Sequence, residues 1–269
     1  MLSRFNTLIF FSTLAYLSMQ ASPTSPAPQL PLIVAHRGAS ADAPENTLPA
    51  FRLAWKQGAD AIEGDFHLTR DKRIICIHNS TTGKYANKSL TVRKTKLADL
   101  QALVPAPHQF PTLAEVIATV PPDKKLYIEI KSSRQIVRPL LKEIDASGIS
   151  PQQVVVIAFS GRVIKKLKSQ RPSLKAVLLA TPRYRSKART LEPAPEQLLE
   201  AIKRTGADGV SLYAHPDIDA AYTQPFLDAG LELHVWTVDA PETAKKWTDL
   251  GALSLTTNKP ATLRQSLGL

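Results

Sequence analysis

The chain has one cysteine, Cys76, among 269 residues. It can form no intramolecular disulfide, so its stability has to come from core burial. Aromatic residues are only 6% of the sequence and are not interleaved with the basic ones. That excludes the stacking platforms by which proteins hold single-stranded nucleic acid, and no nucleic-acid partner is expected. Cys and His nowhere show zinc-type spacing. Acidic side chains are also in deficit, with 34 Lys and Arg against 23 Asp and Glu and a net charge of +11. Much of the excess lies in 162-RVIKKLKSQRPSLK-175 and 183-RYRSKAR-189. These read as a solvated helix face and a basic loop, the alternative being peripheral contact with an anionic membrane surface.

The chain opens MLSRFNTLIFFSTLAYLSMQASPTSP, with one Arg, an uncharged run from Leu8 to Ala21, then small residues and prolines. The run is shorter than the ~20 apolar residues a spanning helix needs. Residues 1–21 therefore read as a signal peptide, and the mature chain is expected to be exported, to the periplasm or beyond. About 248 residues remain, the usual size of one α/β barrel, and no linker interrupts them. Residues 30–269 are expected to form a single domain.

Five times a helical pattern ends in Gly and a short apolar run follows: WKQGADAIEGDF, IDASGISPQQVVVIAF, IKRTGADGVSLY, FLDAGLELHVWTV and WTDLGALSLTT. Gly takes the left-handed conformation cheaply after a helix, so each instance marks a helix handing over to a strand. Strands are expected at 32–36, 60–66, 126–130, 153–158, 175–180, 208–212, 231–238 and 252–256. A ninth run at 73–78 is too near the second strand for a crossover and should pair with it as a hairpin. Alternation of this kind implies a TIM (β/α)8 barrel, with its active site at the strand C-termini. Residues 80–110, which lack clear periodicity, would be a small insertion on that face, between the second strand and second helix.

The ionisable residues at those strand ends are specific. The first strand ends at His36-Arg37, within 35-AHRGASADAPENTLPAF-51. The second carries Glu63 and Asp65, and the third Glu129 and Lys131. Residues two apart in a strand share a face, so these are two same-face pairs. A hairpin centred between Asp71 and Lys72 sets residue 78 opposite residue 65 and returns His78 to the carboxylates. Three acids at one mouth repel unless a cation sits among them, and hard oxygen ligands imply one divalent ion, Mg²⁺ or Ca²⁺. With Arg37 and Lys131 beside it the site suits a phosphate. Two histidines supply a general base and a general acid, which is the equipment for in-line cleavage of a phosphodiester. Glu45 reads either as a residue preceding the cap of the first helix, Asn46 or Thr47, or as a contact to Arg37 or the ion. Trp236 reads as a pocket wall. His67, His108, His215 and His234 read as structural.

These blocks, with FPTLAEV, LYIEIK, HVWTVD and LTTNKPATL in the same order, resemble the glycerophosphodiester phosphodiesterases over essentially the whole mature chain. The resemblance implies a TIM barrel, a divalent cation and hydrolysis of small glycerophosphodiesters to sn-glycerol 3-phosphate and an alcohol. It implies His36 and His78 as the acid–base pair, Glu63, Asp65 and Glu129 as metal ligands, and Arg37 and Lys131 on the phosphate. It also puts Glu45 on the substrate side and Trp236 along the glycerol. Two positions depart from the family pattern, Asn79 and Asn258, where Asp is usual. Rival readings are a phospholipase D-like hydrolase of lysophospholipids and a binding protein without turnover.

Overall fold

The computed structural model describes residues 30–185 and 190–269; the expected signal segment and the end of the second basic cluster lie outside the described residues. The elements run β1 (Leu32–His36), α1 (Leu48–Lys56), β2 (Ala61–Leu68), β3 (Ile74–Cys76), α2 (Leu97–Gln101), α3 (Leu113–Ile117), β4 (Lys125–Ile130), α4 (Val137–Ser147), β5 (Val154–Ala158) and α5 (Gly161–Gln170). They continue β6 (Lys175–Ala180), β7 (Arg183–Arg185), β8 (Thr190–Glu192), α6 (Pro195–Thr205), β9 (Gly209–Tyr213), α7 (Ala220–Asp228), β10 (Glu232–Trp236), α8 (Pro241–Asp249), β11 (Ser254–Thr257) and α9 (Pro260–Ser266).

Strands β1, β2, β4, β5, β6, β9, β10 and β11 are parallel neighbours in that order, and β11 returns to β1. The sheet is thus a closed eight-stranded barrel ringed by helices. The five glycines that hand helix to strand all have positive φ, between 68° and 84°. Alternation divides each strand. Val34, Ala61, Tyr127, Val155, Ile157, Val177 and Leu179 pack together in the barrel's interior, with Trp236 against them. The opposite faces join the helices in a much larger apolar cluster.

A strand has two edges, and β4 takes one edge of β2 over 61–66. Along the other edge β1 pairs with 61–63 and β3 with 66–68, so β3 continues that edge where β1 stops, at the barrel's mouth. The hairpin register is one residue off the sequence expectation, because Phe66 faces Cys76 and residue 65 falls opposite 77. The cause is a three-residue loop: Thr69 donates its N–H to the Arg73 carbonyl, and Lys72 takes a φ of 62°. His78 still reaches the site, because the strand has ended and the chain is turning there.

Residues 80–110 fold over β3. They carry α2 and a 3₁₀ turn at Val92–Lys94, and their Val92, Leu97, Leu100 and Phe110 form a separate apolar cluster with Ile75 and Ile77. Of the two basic segments, the first is the exposed face of α5, whose Val163, Ile164 and Leu167 are buried. The second is not wholly loop: β7 and β8 pair antiparallel, with Arg185 bonded to Glu192 at 3.0 Å. Most of that hairpin's side chains are exposed, so it leaves no hydrophobic alternation to read.

Gly38 follows the His36-Arg37 pair with a φ of +82°, and a Cβ there would lie 2.6 Å from the Ala50 carbonyl carbon in α1. What Gly38 permits is close approach of β1's exit to α1. Gly38→Ala combines left-handed strain with a backbone clash, and should lower the unfolding free energy by about 3 kcal/mol. Urea denaturation measures this; an unchanged midpoint would show that the segment shifts freely.

Candidate active site

Three carboxylates meet at the C-terminal mouth because alternation turns Glu63, Asp65 and Glu129 inward from neighbouring strands, with Asp65 level with Glu129 in the β2–β4 register. One oxygen of each lies within 4.8 Å of the others, and all three residues are buried, at 1%, 0% and 8% exposure. Two cations border them. Lys131 Nζ is 2.7 Å from Glu129 Oε1 and 3.4 Å from Asp65 Oδ1, and Arg37 Nε is 3.2 Å from Asp65 Oδ2. The Arg37 backbone N–H donates to Glu63 Oε2 at 3.0 Å, from a residue with φ of 57°.

The cations do not exhaust the acids. Glu63 Oε1 and Asp65 Oδ1 are buried without a hydrogen-bond partner, the Lys131–Asp65 contact being an ion pair without hydrogen-bond geometry. Burial, then Asp65 and Glu129, pushes the Glu63 carboxyl well above its ordinary range. Burial, then Asp65, raises Glu129 to about 7. For Asp65 burial acts upward too, but Lys131 and Arg37 outweigh it and hold its carboxyl low. Orphaned, crowded oxygens of this kind fit a hard divalent cation, and the buried triad has the donor set for one.

The two histidines stand beside the triad. His36 lines the barrel interior with Glu63, Glu129 and Trp236, and burial, then Arg37, lowers its pKa to about 4. His78 is half-buried, lowered by burial, with Asp65 acting in the opposite direction. Each Nδ1 is bonded to an amide oxygen, His36 to Asn258 at 2.8 Å and His78 to Asn79 at 2.7 Å. The two departures from the family pattern therefore both touch a histidine.

Glu45 contacts Arg37, at 3.1 Å from Nη1 to Oε2, while Thr47 caps α1 by accepting from the Ala50 N–H. Lys84 and Tyr85, from the segment over β3, each reach Glu45 Oε1 at 2.8 Å. Burial acts upward on Glu45, but these bonds and Arg37 outweigh it and bring it down to about 2. Trp236 donates to the Ser211 carbonyl at 3.4 Å. Its ring meets Phe159 and Tyr213 edge to face, with centroids 5.6 Å away in each case.

Four contributors were not foreseen from sequence: Asn46, Lys84, Tyr85 and Asp239, the last accepting from the Asn258 side-chain amide at 2.6 Å. Asn46, with φ of 58°, donates to Asp65 Oδ2 at 2.8 Å and accepts from the Asp65 N–H at 3.1 Å. Its signal was its place beside Glu45, where capping explained it too readily. His67, read as structural, has Nε2 3.1 Å from the His78 carbonyl.

Folding raises Glu129 from the ordinary carboxylate range to about 7, so between those values the folded chain keeps a proton that the unfolded chain loses. As pH rises through 7 the folded state must carry the charge in the crowded site, and stability falls. A divalent cation offsets that loss. The rise in Tm on adding Mg²⁺ or Ca²⁺ should therefore be larger at pH 8 than at pH 6, by about 2–5 °C. Glu129→Gln should reduce the difference, Glu63 accounting for what remains; equal rises at both pH values in the native chain would contradict this reading of the triad.

Known proteins resemble this chain in sequence and in fold. The model of the Glycerophosphoryl diester phosphodiesterase family matches residues 36–262. A glycerophosphodiester phosphodiesterase of Bacillus subtilis is 29% identical, the alignment covering 94% of each chain. One from Caldanaerobacter subterraneus is also 29% identical, over 86% of this chain and 96% of the relative. Among solved structures, a phosphodiesterase of Oleispira antarctica in complex with the product sn-glycerol-3-phosphate superposes with a TM-score of 0.76 at 20% identity, covering 89% of this chain and 98% of that one. A glycerophosphodiester phosphodiesterase from Thermotoga maritima gives 0.72 at 21% identity, over 87% and 97%. With the family match spanning most of its length and an acidic barrel mouth to go with it, the chain belongs to the glycerophosphoryl diester phosphodiesterase family.

Proposed function

We propose that the chain hydrolyses small glycerophosphodiesters to sn-glycerol 3-phosphate and an alcohol, with His36 and His78 as the proton-transfer pair. The observation that carries this is the meeting, at one mouth, of both histidines, the Arg37 and Lys131 cations and the triad of Glu63, Asp65 and Glu129. The triad would hold one divalent cation, Mg²⁺ or Ca²⁺, whose charge would neutralise phosphate oxygens. Arg37 and Lys131 clamp the phosphate from the side. They are themselves held by Glu45, Asp65 and Glu129, so they enter the reaction already oriented. One histidine takes a proton from the nucleophilic hydroxyl, and the other returns one to the leaving alcohol.

The mouth has a second half. Trp236, with Phe159 and Tyr213 beside it, forms an aromatic wall across from the acids, suited to the carbon face of a glycerol. Phe159 and Tyr213 are 48% and 40% exposed, and Tyr184 of the neighbouring hairpin is 46% exposed. Tyr184, exposed between Arg183 and Arg185, favours as a second reading a lysophospholipid presented from a membrane surface. Export is part of the proposal and rests on the sequence of residues 1–21. No helix among the described residues is long and apolar enough to cross a membrane.

The test is release of glycerol 3-phosphate from glycerophosphocholine by the purified mature chain. EDTA should abolish release, and Mg²⁺ or Ca²⁺ added back separately should restore it. Lysophosphatidylcholine in a parallel assay distinguishes the second reading, which predicts faster turnover of that lipid. His78→Ala should lower kcat by about 10²-fold or more with the fold intact. Full kcat in that variant would remove His78 from proton transfer, and a folded native chain that turns over neither substrate would point to binding without catalysis.

A further inference from the structure

The amide oxygen and nitrogen of an Asn are told apart by the partners each can accept. Asn258 places Nδ2 2.6 Å from Asp239 Oδ2, where only a donor fits, and its backbone N–H lies 2.7 Å from Asp239 Oδ1. Asp239 is held in turn by the Thr257 hydroxyl at 2.9 Å. With Nδ2 committed, Oδ1 must face His36 Nδ1 at 2.8 Å and the Ser40 hydroxyl at 2.8 Å, and both of these have to donate. His36 therefore carries its proton on Nδ1.

We infer that Asp239 and Asn258 are positioning residues that lock His36 in the Nδ1–H tautomer and so make its Nε2 the general base, leaving His78 as the general acid. The inference rests on the proposed pairing of the two histidines in proton transfer. The acid role follows from an asymmetry. His78 Nδ1 also meets an amide oxygen, that of Asn79 at 2.7 Å, but among the described residues no second group holds that side-chain amide. Asn79 can turn, so the neutral His78 is free to hold its proton on Nε2 and give it up, whereas the neutral His36 keeps its proton on Nδ1 and leaves Nε2 open to accept one. In the step itself, His36 Nε2 takes the proton of a water, or of the glycerol 2-hydroxyl to give a cyclic phosphate that a water then opens, while the attacking oxygen bonds to phosphorus. The bond from phosphorus to the leaving oxygen breaks, its electron pair stays on that oxygen, and His78 Nε2 supplies the proton.

The same logic accounts for Asn at 258. A carboxylate is still present, one hydrogen bond further from the imidazole, and the intervening amide converts it into a neutral acceptor with a fixed direction. Reversing the two residues preserves every donor and acceptor. In Asp239→Asn/Asn258→Asp the carboxylate at 258 would accept from His36 and Ser40, and the new amide would donate to that carboxylate while accepting from Thr257. Asp239→Asn alone should instead let the Asn258 amide turn over, offering its NH₂ to His36 Nδ1 and moving the imidazole proton to Nε2. A base in the wrong tautomer loses rate without losing its place.

The experiment pairs kinetics with long-range ¹H–¹⁵N correlation of the ¹⁵N-histidine-labelled mature chain, His36 being assigned by its absence from His36→Gln. Native His36 should show an unprotonated Nε2. Asp239→Asn should lower kcat about 10²-fold or more, change KM less than about twofold, and move the His36 signals toward the Nε2–H form. The reversed double variant should recover most of kcat and the native signals. A native His36 protonated on Nε2 would overturn the inference, as would an Asp239→Asn variant with undiminished kcat or a folded double variant that recovers nothing. An inactive native chain would remove the functional reading instead, and the tautomer seen in the same spectrum would still decide whether the lock exists.

Discussion

The repulsion among Glu63, Asp65 and Glu129 is the constraint around which the mouth of this barrel is arranged. Three carboxyl groups within 4.8 Å of one another, all buried, cannot all be charged without compensation. Lys131 and Arg37 supply part of it, and each is itself fixed by doing so. Arg37 is drawn into a left-handed backbone conformation that lets its N–H reach Glu63 while its guanidinium reaches Asp65 and Glu45. Asn46, in a similar conformation, satisfies both the backbone N–H and a side-chain oxygen of Asp65. Unusual backbone gathered around one charge cluster is stable only because the surrounding packing over-determines it, and Gly38 pressed against α1 is part of that packing.

The barrel divides its mouth by chemistry. Inward positions on β1, β2 and β4 end in His36, Asp65 and Glu129, while those leading out of β5, β9 and β10 end in Phe159, Tyr213 and Trp236. A substrate with a phosphate at its centre and carbon on one side matches that division, with the anion on the charged half. The segment over β3 adds a further control, since Lys84 and Tyr85 hold Glu45, and Glu45 holds Arg37. Residues outside the barrel thereby set the orientation of a side chain at its centre.

Most of this architecture is legible in the sequence because it is repetitive. Five helix-ending glycines and eight apolar runs carry the barrel, and the period of two along a strand is enough to put Glu63 with Asp65 and Glu129 with Lys131. What is not legible depends on single backbone dihedrals or on contacts distant in sequence. Positive φ at Lys72 shortens the hairpin loop and shifts its register by one residue. Positive φ at Asn46 turns a residue that resembles a helix cap into a partner of Asp65. Asn258 contacts a histidine 222 residues earlier in the chain, and Asp239 acts only through Asn258, so neither could be placed before the barrel was closed. The exposed hairpin of β7 and β8 is not legible either, because a solvated strand pair has no apolar face to announce it.

The proposed function puts one divalent cation among the three carboxylates, next to a phosphate bound by Arg37 and Lys131. Anomalous diffraction from crystals of the chain grown with Mn²⁺ and sn-glycerol 3-phosphate tests it most directly. A single peak is expected about 2.0–2.6 Å from an oxygen of each of Glu63, Asp65 and Glu129, with the phosphate in contact with Arg37. A phosphate held without any peak at the triad, or a peak that the three carboxylates do not share, would contradict it.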